Sequence, residues 1–274
     1  MIPDHLTITI LGSGTSTGVP VIGCDCPVCT SPLPENSRTR CSALISFGSH
    51  NILIDTSTDL RQQALREGLR RIDAVLFTHT HADHIHGIDD LRTFTPPNGK
   101  AIPIFGPPRT MASIRNRFSY IFEPPAEPGY RPSLETFAVA ETFCLFGLNV
   151  EPLPLHHGKD WACGYRIADF AYLTDCSGIP PHTLDRLSNL ELLVIDALRF
   201  KPHHTHFNID QALDIVQQLA PKRTLLTHLS HDVDHFRHGA DLPPTTEFAF
   251  DGQTIYLPFG PTALERLESI AESV

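Results

Sequence analysis

Ten short apolar runs, most of them flanked by turn residues, limit this chain to folds built from many buried strands. They are LTITIL (6–11), ALISF (43–47), NILID (51–55), AVLFT (74–78), IPIFG (102–106), LNVEPLPL (148–155), CGYRI (163–167), FAYLTD (170–175), LLVID (192–196) and RTLLTH (223–228). Strands present alternate side chains to opposite faces, so alternating or continuous apolar residues over so few positions suit them. Helical spacing interrupts the runs at 59–71, where Leu60, Ala64 and Leu65 share a side and Gly68 lies near the end. Further helices are expected near 109–117, 180–188, 209–219 and 262–272. Two strand-rich halves with helices outside predict one domain over residues 1–274, an α/β (α+β) αββα sandwich of two packed mixed sheets. The proline- and aromatic-rich segment 118–135 reads as a loop, either a surface connection or part of a lid over about 107–137.

Composition narrows the function. A hydrophobic content of 41% supports a sizeable core, and a net charge of −10 argues against a broad basic surface for nucleic acid. It leaves room for a small anionic substrate. MIPDHLTITILG carries no basic leader, and no run approaches the roughly 18 apolar residues of a membrane span. A cytoplasmic protein without a membrane partner is expected, and a homodimer is carried as a candidate assembly.

In GCDCPVCT (23–30), Cys24, Cys26 and Cys29 lie within six residues. Such spacing does not suit a disulfide framework, and in a reducing compartment such clusters bind metal more often than they cross-link. Three thiolates are one ligand short of a closed tetrahedral zinc site. Cys41, Cys144, Cys163 and Cys176 are scattered and read as core or idle thiols.

The strand AVLFT runs directly into HTHADHIHG. In extended chain, residues two apart face the same way, so His79 and His81 can address one metal. If the chain then turns helical, Asp83 and His84 become neighbours able to hold a second, while His86 points away. The bland alternative is a solvated histidine-rich turn. Downstream strands end in His156 and His157 (LPLHHGK), Asp175 (YLTDCSG) and His228 (LLTHLSH), the imidazoles and bridging carboxylate that a two-metal site lacks.

The order H-x-H-x-D-H, then His, then T-D-x-S-G, then L-T-H resembles the metallo-β-lactamase superfamily. More narrowly it resembles the branch of phosphoribosyl cyclic phosphate phosphodiesterases. The resemblance implies the metallo-β-lactamase sandwich, with His79, His81 and His157 on one ion and Asp83, His84 and His228 on the other. Asp175 would bridge them and Asp55 would support the ligands. Imidazole plus carboxylate itself suits zinc or manganese, with iron or nickel as alternatives. The resemblance also implies that His231, three residues beyond His228, completes a structural zinc with Cys24, Cys26 and Cys29 in a loop at about 19–37.

Two ions lower the pKa of bound water toward about 7 and neutralise a phosphoryl oxygen. The resemblance implies His206 as general acid for the leaving group, and Asp83 is counted with it as catalytic. A surface histidine-rich turn is the alternative reading of 203–206. Arg38 and Arg40 are candidates for contact with a substrate phosphate, or else a solvated pair. GSGTSTG (12–18) has the spacing G-x-G-x-x-x-G with no helix after it, which excludes a dinucleotide loop in favour of a tight turn near the metals. The function expected is a metal-dependent phosphodiesterase acting on a small phosphate ester, cyclic or linear. The rivals are a tRNA 3′-processing endonuclease and a cofactor-biosynthesis protein on the same scaffold.

Overall fold

The computed structural model describes residues 5–94, 100–124 and 130–259. Six strands of the first sheet come in sequence: β1 (His5–Gly12), β2 (Ser42–Phe47), β3 (His50–Ile54), β4 (Ala74–Leu76), β5 (Ile102–Gly106) and β6 (Leu134–Ala138). The second sheet follows with β7 (Phe143–Leu145), β8 (Leu148–His157), β9 (Asp160–Ile167), β10 (Phe170–Leu173), β11 (Leu192–Asp196), β12 (Arg223–Thr227) and β13 (Thr246–Phe248). The chain then returns to the first sheet as β14 (Thr254–Pro258), beside β1. The orders are β14-β1-β2-β3-β4-β5-β6 and β13-β12-β11-β10-β9-β8-β7, each sheet mixing parallel and antiparallel pairs.

Alternation along each strand explains the layering. Ile52 and Ile54 of β3, Ala74 and Leu76 of β4, and Leu192 and Val194 of β11 meet in the core between the sheets. Their odd neighbours face outward: Leu53 and Val75 pack under helices of the first sheet, Leu193 and Ile195 under those of the second. Strands buried on both faces are apolar without interruption, which is why these runs stand out in the sequence.

The outer layers are α1 (Leu60–Arg66), α2 (Ala82–Ile85), α3 (Pro108–Arg117), α4 (Ser119–Phe122), α5 (Pro181–Leu184), α6 (Ile209–Leu219) and α7 (His235–Gly239). Ile209, Ala212 and Val216 of α6 repeat at three and four residues and bury one stripe under the second sheet. Asn208 caps this helix: its side chain accepts from Gln211 N at 2.8 Å, and the Gln211 side chain accepts from Asn208 N at 3.0 Å. That reciprocal pair fixes the backbone two residues after His206.

The αββα expectation is met. The loop expected over 118–135 is corrected, because α4 occupies Ser119–Phe122 and β6 begins at Leu134. The helix expected at 262–272 lies outside the described residues. Among the described residues, no helix is long and apolar enough to cross a membrane.

Candidate metal centre

The side chains singled out above converge at strand C-termini on one rim of the sandwich. β4 leads into His79, His81, Asp83 and His84; β8 ends at His157, β10 leads to Asp175, and β12 is followed by His228. Asp55, Asp175 and His228 sit there with φ of 60°, 53° and 61°. Non-glycine residues rarely adopt this left-handed geometry, and strain of this kind gathers at functional sites.

Asp175 stands at the centre, 1% exposed. Its Oδ2 lies 3.6 Å from His79 Nε2 and 3.8 Å from His157 Nε2. Its Oδ1 lies 3.1 Å from His84 Nε2 and 3.5 Å from His228 Nε2. One carboxylate therefore turns an oxygen to each of two imidazole sets. Asp83 Oδ2 completes the second set, 3.3 Å from His84 Nε2 and 3.8 Å from His228 Nε2. His81 Nδ1 and His157 Nε2 lie 3.3 Å apart, about the edge of a tetrahedron of nitrogens around zinc.

The far sides of three rings are tied down, which decides which nitrogen of each faces inward. His84 Nδ1 donates to Asp55 Oδ2 at 2.6 Å, and His157 Nδ1 to Thr205 O at 2.8 Å. His79 Nδ1 donates to Thr78 Oγ1 at 3.0 Å, which donates to Asp55 Oδ2 at 2.7 Å. Asp55 thus holds His84 directly and His79 through Thr78. The inward atoms His79 Nε2, His84 Nε2, His228 Nε2 and Asp83 Oδ2 are buried without a hydrogen-bond partner. A chain does not bury four such atoms at close range without something to satisfy them, and divalent ions fit this donor set.

Burial alone would lower the pKa of His228, but Asp175, Asp83 and Asp196 push it up to about 9. His84 is raised well above the usual range against burial by Asp175, Asp55 and Asp83. His79 moves the other way, lowered by burial and by the charge of His84.

His206, 8% exposed, borders the same cluster. Its Nε2 is 4.0 Å from Asp175 Oδ2, and its Nδ1 donates to Asp196 Oδ2 at 2.7 Å. Asp196 is the residue the sequence reading misses. It ends LLVID as Asp55 ends NILID, and that repetition is the signal available. Its Oδ2 also accepts from Cys176 N at 2.7 Å. His86 stands outside the cluster, its ring edge-on to Phe118 with centroids 5.7 Å apart.

A second cluster gathers Cys24, Cys26, Cys29 and His231. His231 Nδ1 lies 3.3, 3.7 and 3.4 Å from the three sulfurs, respectively. A tetrahedron with zinc–sulfur and zinc–nitrogen bonds of ordinary length has edges of about 3.6 Å. The backbone N–H of Cys29 donates to Cys26 Sγ and lowers its pKa to about 7, favouring the thiolate. Leu229 joins the clusters: its N donates to Ser13 O at 2.9 Å and its O accepts from Thr15 N at 3.1 Å, which puts the 12–18 turn against the chain between His228 and His231. Gly14 is needed where it stands, since a Cβ there would come 2.9 Å from Arg38 Cβ.

Arg38 and Arg40 do not meet the phosphate-contact expectation. Arg38 is 1% exposed and donates to Ser230 O, Val233 O and Asn36 Oδ1. Its planar fork holds the turn that carries His231. Arg40 is committed to Asp59 at 2.9 Å and to Ser16 O.

A sandwich with ligand-type side chains at these strand ends defines a metallo-β-lactamase-type protein. The β-lactamase superfamily domain matches residues 50–229, and the chain belongs to that superfamily. A diphosphatase of the PhnP family, known from its crystal structure, is 41% identical with a TM-score of 0.87, covering 93% of this chain and 99% of that one. A Porphyromonas gingivalis protein named octanoyltransferase is 41% identical over 248 residues, which is 89% of this chain and 50% of that one. The chain spans about half or less of the first curated relatives it matches. Zinc-bound PqqB of Methylobacterium extorquens shares the fold at 21% identity, with a TM-score of 0.73 over 91% of this chain and 99% of its own.

Proposed function

We propose that the protein is a metal-dependent phosphodiesterase acting on a small phosphate ester, with two divalent ions in the imidazole–carboxylate cluster and one zinc among the thiols. The observation that carries this reading is Asp175, whose two oxygens face separate imidazole sets. His79, His81 and His157 would hold one ion and Asp83, His84 and His228 the other, with Asp175 between them. Zinc, manganese, iron or nickel suits these ligands. When bound, such a pair supplies Lewis acidity to a phosphoryl oxygen and acidifies water.

The remaining work falls to the chain. Asp55 keeps His84, and through Thr78 also His79, turned inward. Asp196 accepts from the Nδ1–H of His206 and so holds the ring with Nε2 toward the cluster; the proton offered to the leaving oxygen is the Nε2–H of the imidazolium form. Asp83, against the cluster, completes the catalytic set. Acyl transfer, which the name of the Porphyromonas relative would suggest, receives no support from the thiols nearby. Cys41 and Cys176 are buried, and burial raises both pKa values, so neither is an activated nucleophile.

The experiment is a screen of cyclic and linear phosphodiesters against full-length protein of known metal content, with precursor tRNA alongside. Cleavage of small diesters without cleavage of precursor tRNA is expected; the reverse would favour the endonuclease. His206→Ala should slow esters with alkoxide leaving groups about a hundredfold. It should spare p-nitrophenyl esters, whose leaving group needs no proton, and leave metal content unchanged. Loss of an ion in this variant would make His206 a ligand instead.

Metal affinity carries a further prediction. Without an ion, the carboxylates of Asp175, Asp83 and Asp196 push the pKa of His228 up to about 9 against the effect of burial, which favours a proton on the ring at neutral pH. A divalent ion must displace that proton. Because the pKa of His84 is raised as well, apparent affinity should rise with pH from neutrality through about 9, with proton release measurable by calorimetry in buffers of different ionisation enthalpy. Affinity independent of pH across that range would contradict the ligand set.

A further inference from the structure

His157 is held differently from the other rings whose far sides are tied down. His79 and His84 rest on the buried side chains of Thr78 and Asp55, respectively. The Nδ1–H of His157 is instead taken by a backbone carbonyl, Thr205 O, at 2.8 Å. Thr205 lies in the irregular run between β11 and α6. A carbonyl turns with its peptide unit, and loops are the more mobile parts of a fold, so the direction of this imidazole is only as firm as the loop behind it.

The loop is well fixed after Thr205. His206 donates to Asp196 Oδ2 at 2.7 Å, Phe207 N donates to Cys176 O at 2.6 Å, and the Asn208 cap follows. It is also pressed against the turn that follows His157, where a Cβ on Gly158 would stand 2.7 Å from Thr205 Cγ2. Before Thr205 the chain is looser, with Lys201, Pro202 and His204 exposed. His203, half-buried, supplies the hold there. Its Nδ1 lies 3.0 Å from Thr205 Oγ1 and 3.4 Å from Thr205 N. A backbone N–H can only donate, so Nδ1 is the unprotonated nitrogen of this ring and the hydroxyl donates to it too. The ring stands 5.3 Å from that of His206, yet among the described residues it is gathered with neither imidazole–carboxylate set.

We propose that His203 is a positioning residue for the metal cluster. By accepting from Thr205 it steadies the carbonyl that keeps His157 Nε2 turned toward His79 and His81. The inference rests on reading that cluster as the metal site of the proposed phosphodiesterase.

Asparagine, whose Oδ1 can stand where Nδ1 stands, and leucine, of similar size without an acceptor, separate the contact from the bulk of the ring. Full-length protein is loaded with zinc and titrated with a competing chelator. His203→Leu should weaken retention of one cluster ion about ten- to a hundredfold, as loss of a partner behind a metal ligand does. His203→Asn should stay close to the wild type. With His157→Ala already in place, His203→Leu should change retention no further, because its effect passes through that ring. Equal retention in the wild type and His203→Leu would overturn the proposal. So would equal losses in His203→Leu and His203→Asn, or a further loss in the His157→Ala background. No substrate is used, so the result stands apart from whether any diester is cleaved. A wild type that takes up no ion at the cluster defeats the metal reading itself, whereas a wild type that holds its ions no better than His203→Leu defeats only this proposal.

Discussion

Replacing Asp175 by asparagine is expected to lower turnover by at least about a thousandfold and to reduce the metal held at the cluster. The substitution keeps size and one oxygen but removes the charge, so the imidazole sets that now face one carboxylate lose their common anion. His79, His84, His157 and His228 all lie within 3.1 to 3.8 Å of its two oxygens. Several kcal/mol of charge stabilisation pass through such an arrangement, and each 1.4 kcal/mol is about a factor of ten in rate. Metal analysis beside steady-state kinetics checks it. A variant with full activity and full metal content would show that Asp175 bridges nothing.

Cys29→Ser should do a different kind of damage. Removing one sulfur from the group with Cys24, Cys26 and His231 would open a closed site whose proposed metal would tie residues 24–29 to a histidine some 200 positions away. Metal binding in such sites is itself folding free energy. A loss of several kcal/mol is expected, lowering the melting temperature by roughly 10 °C in a chain of this size. Because Leu229 lies between His228 and His231, the loss should reach the other cluster as well, and activity should fall as the loop loosens. Thermal melts of wild type and variant, each with and without chelator, separate the effects. If chelator leaves the wild type as stable as before, the thiol cluster holds no structural ion.

Much of the fold is legible in the sequence because its central strands are buried on both faces. LLVID and IPIFG appear as apolar runs at the residues that form β11 and β5. β6 escapes for the opposite reason: LETFA is largely exposed or half-buried at the sheet edge, so it carries no apolar pattern. β7 and β13 span three residues each, too short for periodicity to register.

The cluster is legible to the extent that its chemistry is local. His79, His81, Asp83 and His84 sit in one motif, and Asp175 and His228 end recognisable strands. Asp196 has the same placement as Asp55, but its partner His206 is ten residues away and no spacing announces the pair. The contact of Thr205 O with His157 spans 48 residues and exists only once the loop before α6 is folded against the end of β8. Arg38 illustrates the converse error. An arginine near a candidate site suggests a surface cation, yet this one is buried because backbone carbonyls and Asn36 satisfy its fork.

Elemental analysis of purified full-length protein, with titration of added metal, bears most directly on the central claim. Two ions at the imidazole–carboxylate cluster and one at the thiols are expected per chain, with Asp175→Asn depleting the first cluster and Cys29→Ser the second. Folded protein that carries no transition metal and takes up none on addition would contradict it.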